Sequence, residues 1–372
     1  TLGQLTLSTG TTFSAGPGTQ TNVLGTIVNN GNMQITGGSG INTLFVPTTD
    51  TTLKGTGTVT LAYSGSGTGQ AYIEAVSGGI TLTNEQTIQG QGVIGNGSLN
   101  VDNAAGGTIL ANVSGGTLNF LNGGALTNEG KIQVSAGSTL SDSFASTTNS
   151  GTVGIAGGAT MTVSGGYNQT GGSTVIAAGG TLDVGSLEAT GGLIKVDGKL
   201  DPLGLEHIDT GGTLSGTGLI VGDLTNDGTV ILGDDIGHPG TLSETGNFTQ
   251  NGDGVLDESI TSLINGQLDV TGNISLDGTV NIDLLGGFTP ATSQIFTLID
   301  YTGTLGAENL SVTGSDASEW TVLYDRADQV DLEFNKQVVS GVPDGGDTWL
   351  LALIGIAGLG VAYRTKRRLA EF

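Results

Sequence analysis

Residues 125–161 read ALTNEGKIQVSAGSTLSDSFASTTNSGTVGIAGGATM, and two short phrases inside them return on one period. Thr-Asn-x-Gly stands at Thr127-Asn128-Glu129-Gly130 and again at Thr148-Asn149-Ser150-Gly151, a step of 148 − 127 = 21. Thr followed by an apolar residue stands at Thr139-Leu140 and again at Thr160-Met161, the same step (160 − 139 = 21). Working outward, this second phrase is also found one step back at Thr117-Leu118 (139 − 117 = 22) and one step on at Thr181-Leu182 (181 − 160 = 21). Both phrases recur after longer gaps, at Thr213-Leu214, Thr225-Asn226-Asp227-Gly228 and Thr241-Leu242. A fixed period of this size is the mark of a stacked repeat, in which each unit buries its apolar side only against its neighbours.

Between the phrases the chain alternates. Lys131-Ile132-Gln133-Val134 and Val280-Asn281-Ile282-Asp283-Leu284 place apolar residues at every second position. Side chains alternate across a strand, so one face of each such stretch points inward and the other toward water. Gly and Asn at the joints suit corners, where positive φ is often required. The reading is an all-β fold, a parallel β-helix (β-solenoid) with coils of about 21 residues, plus one C-terminal transmembrane helix. A sandwich would show irregular turn spacing and a heavier aromatic core, and propeller blades repeat at about 40 residues or more.

Composition agrees. Of 372 residues 69 are Gly, only 6 are Pro and 12% are charged. Without glycine at every third position collagen is excluded, and the recurring Val, Ile and Leu give a buried stripe that a disordered chain would lack. There is no cysteine, which removes disulfides, thiolate zinc sites and cysteine nucleophiles. The net charge is −24, and of 10 basic residues four (Arg364, Lys366, Arg367, Arg368) crowd the last nine positions. The anionic body has no Lys/Arg cluster with which to displace counterions from a nucleic acid. Weak Ca²⁺ association fits its charge better, and no cofactor is expected. The first residue, Thr1, is not Met, so a removed leading segment of secretory type is expected.

The predicted organisation is early coils and an N-terminal cap over 1–84, regular solenoid over 85–232 and a C-terminal solenoid and cap region over 233–335. A linker with a short motif follows over 336–348, then an apolar helix over 349–363 and a basic tail over 364–372. The motif is Val342-Pro343-Asp344-Gly345-Gly346, and the apolar run is bounded by Trp349 and Tyr363. As a helix that run would span about 22 Å, against a hydrocarbon core of about 30 Å. The aromatic ends and the cluster Arg364, Lys366, Arg367 and Arg368 match an interfacial belt and a stop-transfer signal, with the basic end cytoplasmic.

This three-part tail resembles the PEP-CTERM type of sorting signal, in a Val-Pro-Asp variant. The resemblance implies recognition of Val342, Pro343, Asp344, Gly345 and Gly346 by an exosortase-type membrane processing enzyme, and a mature protein ending near that motif. The stretch from about Gly233 to Leu332 is similar to the last solenoid region of autotransporter-like secreted repeat proteins. It carries Pro239-Gly240-Thr241-Leu242, Gly246-Asn247-Phe248, Gln267-Leu268-Asp269-Val270 and Trp320-Thr321-Val322. That similarity implies a surface scaffold or adhesin.

Parallel β-helices also include polysaccharide lyases and hydrolases. The strongest catalytic candidate is Asp234, Asp235 and His238, since paired carboxylates beside an imidazole can do acid–base work on a glycosidic bond. The competing reading is a polar corner before Gly240-Thr241-Leu242. His207 stands alone and reads as a loop or capping residue, and two well-separated histidines do not make a zinc site without further ligands. Gly37-Gly38-Ser39-Gly40-Ile41-Asn42 approaches a calcium β-roll repeat, but occurs once and carries Asn where Asp is needed. Fold alone assigns no chemistry. The expectation is a non-catalytic cell-surface or extracellular structural or adhesive protein, with surface polysaccharide, other surface proteins or its own copies as partners. A carbohydrate-active β-helix enzyme and a self-assembling filament subunit are the alternatives.

Overall fold

The structure, a computed structural model, describes residues 1–64, 68–204 and 206–336. Thr1–Phe334 forms one unit. Its chain winds as a parallel β-solenoid of about 13 turns, and each coil lays one rung on each of three faces. Around the sequence repeat, face A is built from rungs such as Thr117–Leu121 and Thr139–Asp142. Face B carries Ala125–Asn128 and Ser146–Asn149, and face C carries Lys131–Val134 and Thr152–Ile155. Each rung pairs in parallel with its equivalent one coil later: Leu118 with Leu140, Leu126 with Thr147, Ile132 with Val153.

Alternation decides what lies inside. On face A the inward row runs Leu118, Leu140, Met161, Leu182 and Leu200, one residue per coil, all fully buried. On face C it runs Ile109, Ile132 and Val153. Burying a Leu- or Ile-sized side chain contributes roughly 1.5–3 kcal/mol, and here each also packs between like residues above and below. A one-residue slip in any rung would turn that row out to water, so the register is strongly specified.

The coils lie about 22 residues apart, slightly more than the clearest sequence repeats suggest. The spacing is also far from uniform. It shrinks to 229 − 213 = 16 between the paired Thr213 and Thr229, and stretches to 311 − 279 = 32 between the paired Thr279 and Ser311. Rungs must stay in register, but corners can hold any length of loop, so the insertions collect there. Among the described residues the structure is all-β, without the transmembrane helix that the sequence predicted beside it. The described residues contain one 3₁₀ turn, Ala317–Glu319, and no helix long and apolar enough to cross a membrane. The apolar run 349–363 lies outside the described residues; at about 22 Å even a perfect helix of that length falls short of the hydrocarbon thickness.

The corner role expected of Asn holds at Asn96 and Asn122, which have positive φ, but not in the repeat phrases. Asn128, Asn149 and Asn226 of the Thr-Asn-x-Gly phrases have no positive φ. Their side chains point inward on face B, where Asn84, Asn103, Asn128, Asn149 and Gln169 occupy one buried row. Each donates to the next: Asn84 Nδ2 to Asn103 Oδ1 at 2.7 Å, Asn103 to Asn128 at 2.6 Å, Asn128 to Asn149 at 2.6 Å, and Asn149 to Gln169 Oε1 at 2.9 Å. The row is broken by Ala189 and Ile208 and resumes with Asn226 donating to Gln250 at 3.1 Å. The phrase's glycine has a separate cause. A Cβ on Gly151 would lie 2.2 Å from the Gly130 carbonyl oxygen of the coil below, so no larger residue can stack there.

The two ends differ. The first rungs, Leu2–Gly3, Thr6–Leu7 and Thr12–Ala15, pair only with the second coil among the described residues. At the other end Gln329–Phe334 pairs antiparallel with both Gln294–Tyr301 and Trp320–Leu323. Phe296, Trp320 and Phe334 stack over the core there, with ring centroids 5.7 and 5.0 Å apart, and the Trp320 indole N–H donates to the Ser315 carbonyl. Antiparallel strands break the parallel stack and close that end of the solenoid.

Candidate functional site

The tail residues singled out in the sequence, Val342 to Gly346, Trp349, Tyr363, Arg364, Lys366, Arg367 and Arg368, all lie outside the described residues. The sites that can be built are those of the solenoid body.

Asp234, Asp235 and His238 occupy a small antiparallel hairpin, Gly233–Asp235 against His238–Pro239, at the corner that leads into Thr241-Leu242. His238 Nδ1 lies 2.6 Å from Asp235 Oδ1, and that carboxylate holds the imidazole pKa above its ordinary value. Asp234 forms an ion pair with Lys195 at 3.4 Å. The His238 side chain is 75% exposed and Asp235 62%. A glycosidase needs two carboxyl groups converging from opposite sides of a bound sugar; here they point into solvent from the tip of a turn, and each is already engaged.

His207 is not in a loop. It is the middle residue of the face B rung Glu206–Ile208, with its side chain outward. Glu188 lies one coil before it and Asp227 lies in the following coil, beyond the rung Leu224–Asn226. His207 Nδ1 is 3.0 Å from Glu188 Oε1 and Nε2 is 2.7 Å from Asp227 Oδ2, which also accepts from Asn251 Nδ2 at 2.9 Å. Partial burial works against the imidazolium, but the Asp227 hydrogen bond and both carboxylate charges outweigh it and raise its pKa; Asp227 is lowered by His207 in return. With both ring nitrogens committed to carboxylates, the imidazole is a clamp across three coils and has no free nitrogen to act as a general base.

Three further ionisable groups are not visible as a set in the sequence. Glu206, Glu244 and Glu258 point into the solenoid and are completely buried. Neither oxygen of Glu206 or of Glu258 has a partner within hydrogen-bond geometry, and Glu244 uses one oxygen to accept from the Leu224 amide at 3.2 Å. Burial pushes the Glu206 carboxyl up to about 8. Burial, then the charge of Glu206, pushes Glu244 up to about 9. Burial raises Glu258 well above its usual range, against weaker pulls from the Gly266 amide and Asn265 nearby. The signal that could have found them is register: Glu206 falls in the inward row between Leu187 and Leu224, and Glu244 in that between Ile220 and Val270.

In the calcium-like phrase, Asn42 Oδ1 accepts from the Gln70 amide at 3.0 Å, so the oxygen that would be a ligand serves a corner instead. Among the described residues no group of three or more His, Asp or Glu is arranged to hold a metal ion. Concave surface is found near the N-terminal coils, where a cleft of about 340 Å³ opens beside Tyr63, Gln70, Gln91 and Asn119. It is distant in sequence from every acid and imidazole described above.

No protein-family profile matches the chain, and no functionally described protein matches it either.

Proposed function

We propose that the protein is a non-catalytic structural or adhesive component of a bacterial cell surface or extracellular matrix. The observation that carries this reading is how the solenoid uses its reactive groups. Asp234, Asp235 and His238 cap a turn, Glu188, His207 and Asp227 tie coils together, and Glu206, Glu244 and Glu258 are sealed inside. None of these sets lines a cleft where a reacting bond could sit near both an acid and a base. What repeats outward is small and polar. Face C shows Thr87, Thr108, Lys131, Thr152 and Ser173 in one row, a hydroxyl-rich surface suited to spacing and contact.

Export and sorting by the C-terminal tail belong to the same proposal, on the resemblance of Val342-Pro343-Asp344 and the terminal basic cluster to a PEP-CTERM-type signal. An exosortase-type enzyme is then the processing partner. The test is the intact mass of the protein recovered from the surface of its native host, together with an assay for reducing ends released from a polysaccharide panel. Loss of the chain beyond about the motif with no reducing ends released supports both parts. Retention of Phe372 would overturn the processing, and steady release of reducing ends would overturn the non-catalytic reading.

A further inference from the structure

We propose that the N-terminal coils carry a binding site for a neutral polysaccharide, in the cleft between Ala62, Tyr63, Thr68 and Gln70 on one side and the corner Gly115-Gly116-Thr117 on the other. The proposal rests on the adhesive reading above and names what the surface holds. The polar side chains of the cleft are Tyr63, Thr68, Gln70, Gln91, Thr117 and Asn119, and the rest of its lining is Ala and Gly. In a chain of net charge −24, not one of the described residues lining the cleft is charged.

That donor set narrows the ligand by elimination. An anion finds no Lys or Arg and a cation finds no carboxylate. An apolar ligand would strip water from three side-chain amides without replacing their hydrogen bonds. A neutral polyol fits. A side-chain amide carries donors and an acceptor together, and hydroxyls on the ligand can pair with either. Tyr63, 37% exposed, presents a ring on which a sugar face can rest.

The cleft is shaped by backbone rather than by accident of side-chain placement. A Cβ on Gly116 would lie 2.3 Å from Gln91 Oε1, so glycine is what lets the amide lie across that wall. Asn119 Nδ2 reaches the Gly92 carbonyl at 3.4 Å, which steadies it beside the opening. A second hollow of about 440 Å³ is lined by Gln20, Asn42, Leu44 and Tyr72 together with one carboxylate, Glu74. The backbone N–H of Gln70, which lines the first, donates to Oδ1 of Asn42, which lines the second. Gln20, Leu44 and Tyr72 are successive rungs of one face, about 4.8 Å apart, so a linear chain leaving the first hollow meets a second ring and further amides. Length, not a single sugar, is what this surface can read.

The experiment is titration of the purified protein with dextran, soluble starch and cellohexaose, with alginate as the anionic comparison. Saturable binding of at least one neutral glycan is expected, with none to alginate. Tyr63→Ala combined with Gln91→Ala should weaken it at least about 10-fold, and the thermal melt of this variant shows whether the fold is kept. Asn119→Asp, which adds one charge to the wall, should weaken it as well, whereas Ile236→Ser on the distant hairpin should change nothing. Absence of binding to all three neutral glycans, or binding that a folded Tyr63/Gln91 variant retains in full, would overturn the site. Such a failure leaves the surface role untouched, while cleavage of a bound glycan would overturn the non-catalytic role and leave the cleft standing.

Discussion

The coils from Asn84 to Gln169 bury a row of amides and those from Glu206 to Glu258 bury three acids beside the amide pair Asn226–Gln250, and amides and acids are satisfied in opposite ways. In the first set Asn84, Asn103, Asn128 and Asn149 each donate to the amide of the next coil, at 2.6–2.9 Å. In the second, Glu206 and Glu258 have no partner within hydrogen-bond geometry, and Glu244 has one. A ladder of neutral amides needs only that neighbours repeat, because each Asn or Gln is donor and acceptor at once. A carboxylate is acceptor only, so stacking carboxylates cannot build such a row; the buried acid must take up a proton instead. The amide row therefore stabilises at any pH, and the acids make the second set of coils sensitive to it.

The largest test of that contrast is stability against pH. The folded pKa values of Glu206 and Glu244 lie above the unfolded value, at about 8 and about 9. From about pH 4.5, where the unfolded acids ionise, up to those values, the folded chain holds protons that the unfolded chain has released. Stability must then fall as pH rises through that window, and level off above it. Each acid contributes on the order of 1 kcal/mol per pH unit, so the two together account for roughly 6 kcal/mol between pH 5 and 8. Glu244 also faces Asp223, whose charge acts in the same direction, while the Leu224 amide opposes it. Urea midpoints at pH 5, 6.5 and 8 measure the slope; a flat profile would mean that these carboxyls are not neutral inside the fold.

Cutting the ladder comes next. Asn128→Ala orphans Asn149 Oδ1, which loses its donor, and leaves Asn103 Nδ2 with only longer bonds to backbone carbonyls, the nearer at 3.2 Å. One stranded acceptor and one weakened donor in a dry interior cost about 1–3 kcal/mol, and the loss should be the same at pH 5 and pH 8. Glu206→Met asks the converse question. Removing a buried, unpartnered acid for an apolar side chain of similar size should stabilise the fold at pH 8, by about 1–3 kcal/mol, and flatten part of the pH slope. A destabilising Glu206→Met at pH 8 would show that the acid has a partner in solution.

The same contrast explains how much of the molecule could be read in advance. The solenoid and its period were visible because parallel stacking forces like residues onto like positions, as in Thr139-Leu140 and Thr160-Met161. Asn128 and Asn149 were visible as a repeat but not as a ladder, since Asn before a glycine also suits a left-handed corner, and only the inward register separates the two. Glu206 and Glu244 were hidden for the opposite reason. They replace apolar residues in rows that elsewhere hold Leu and Ile, in coils of irregular length. The step is short from Glu206 to its partner Leu224 (224 − 206 = 18) and long from Ile220 to its partner Glu244 (244 − 220 = 24). Where the period breaks, the inward positions can no longer be counted off. The cleft was hidden too, because Tyr63, Gln91 and Asn119 come from three different coils and share no phrase.

The smallest effect is expected at the surface, and it sharpens the comparison by sharing the sign of the acids over a narrower window. His207 has a raised folded pKa, so the stability it contributes is fully present below its unfolded value, about 6.5, and is lost as pH rises through the folded value. Its side chain is 29% exposed and its partners Glu188 and Asp227 are 43% and 23% exposed, so solvent screens the clamp. His207→Ala should cost less than about 1 kcal/mol at pH 5.5 and close to nothing at pH 9. The loss should shrink further in high salt, which the amide ladder and the buried acids would not feel. A His207→Ala penalty that ignores both pH and salt would place the residue's value in packing alone, and the three-coil clamp would then be geometry without charge.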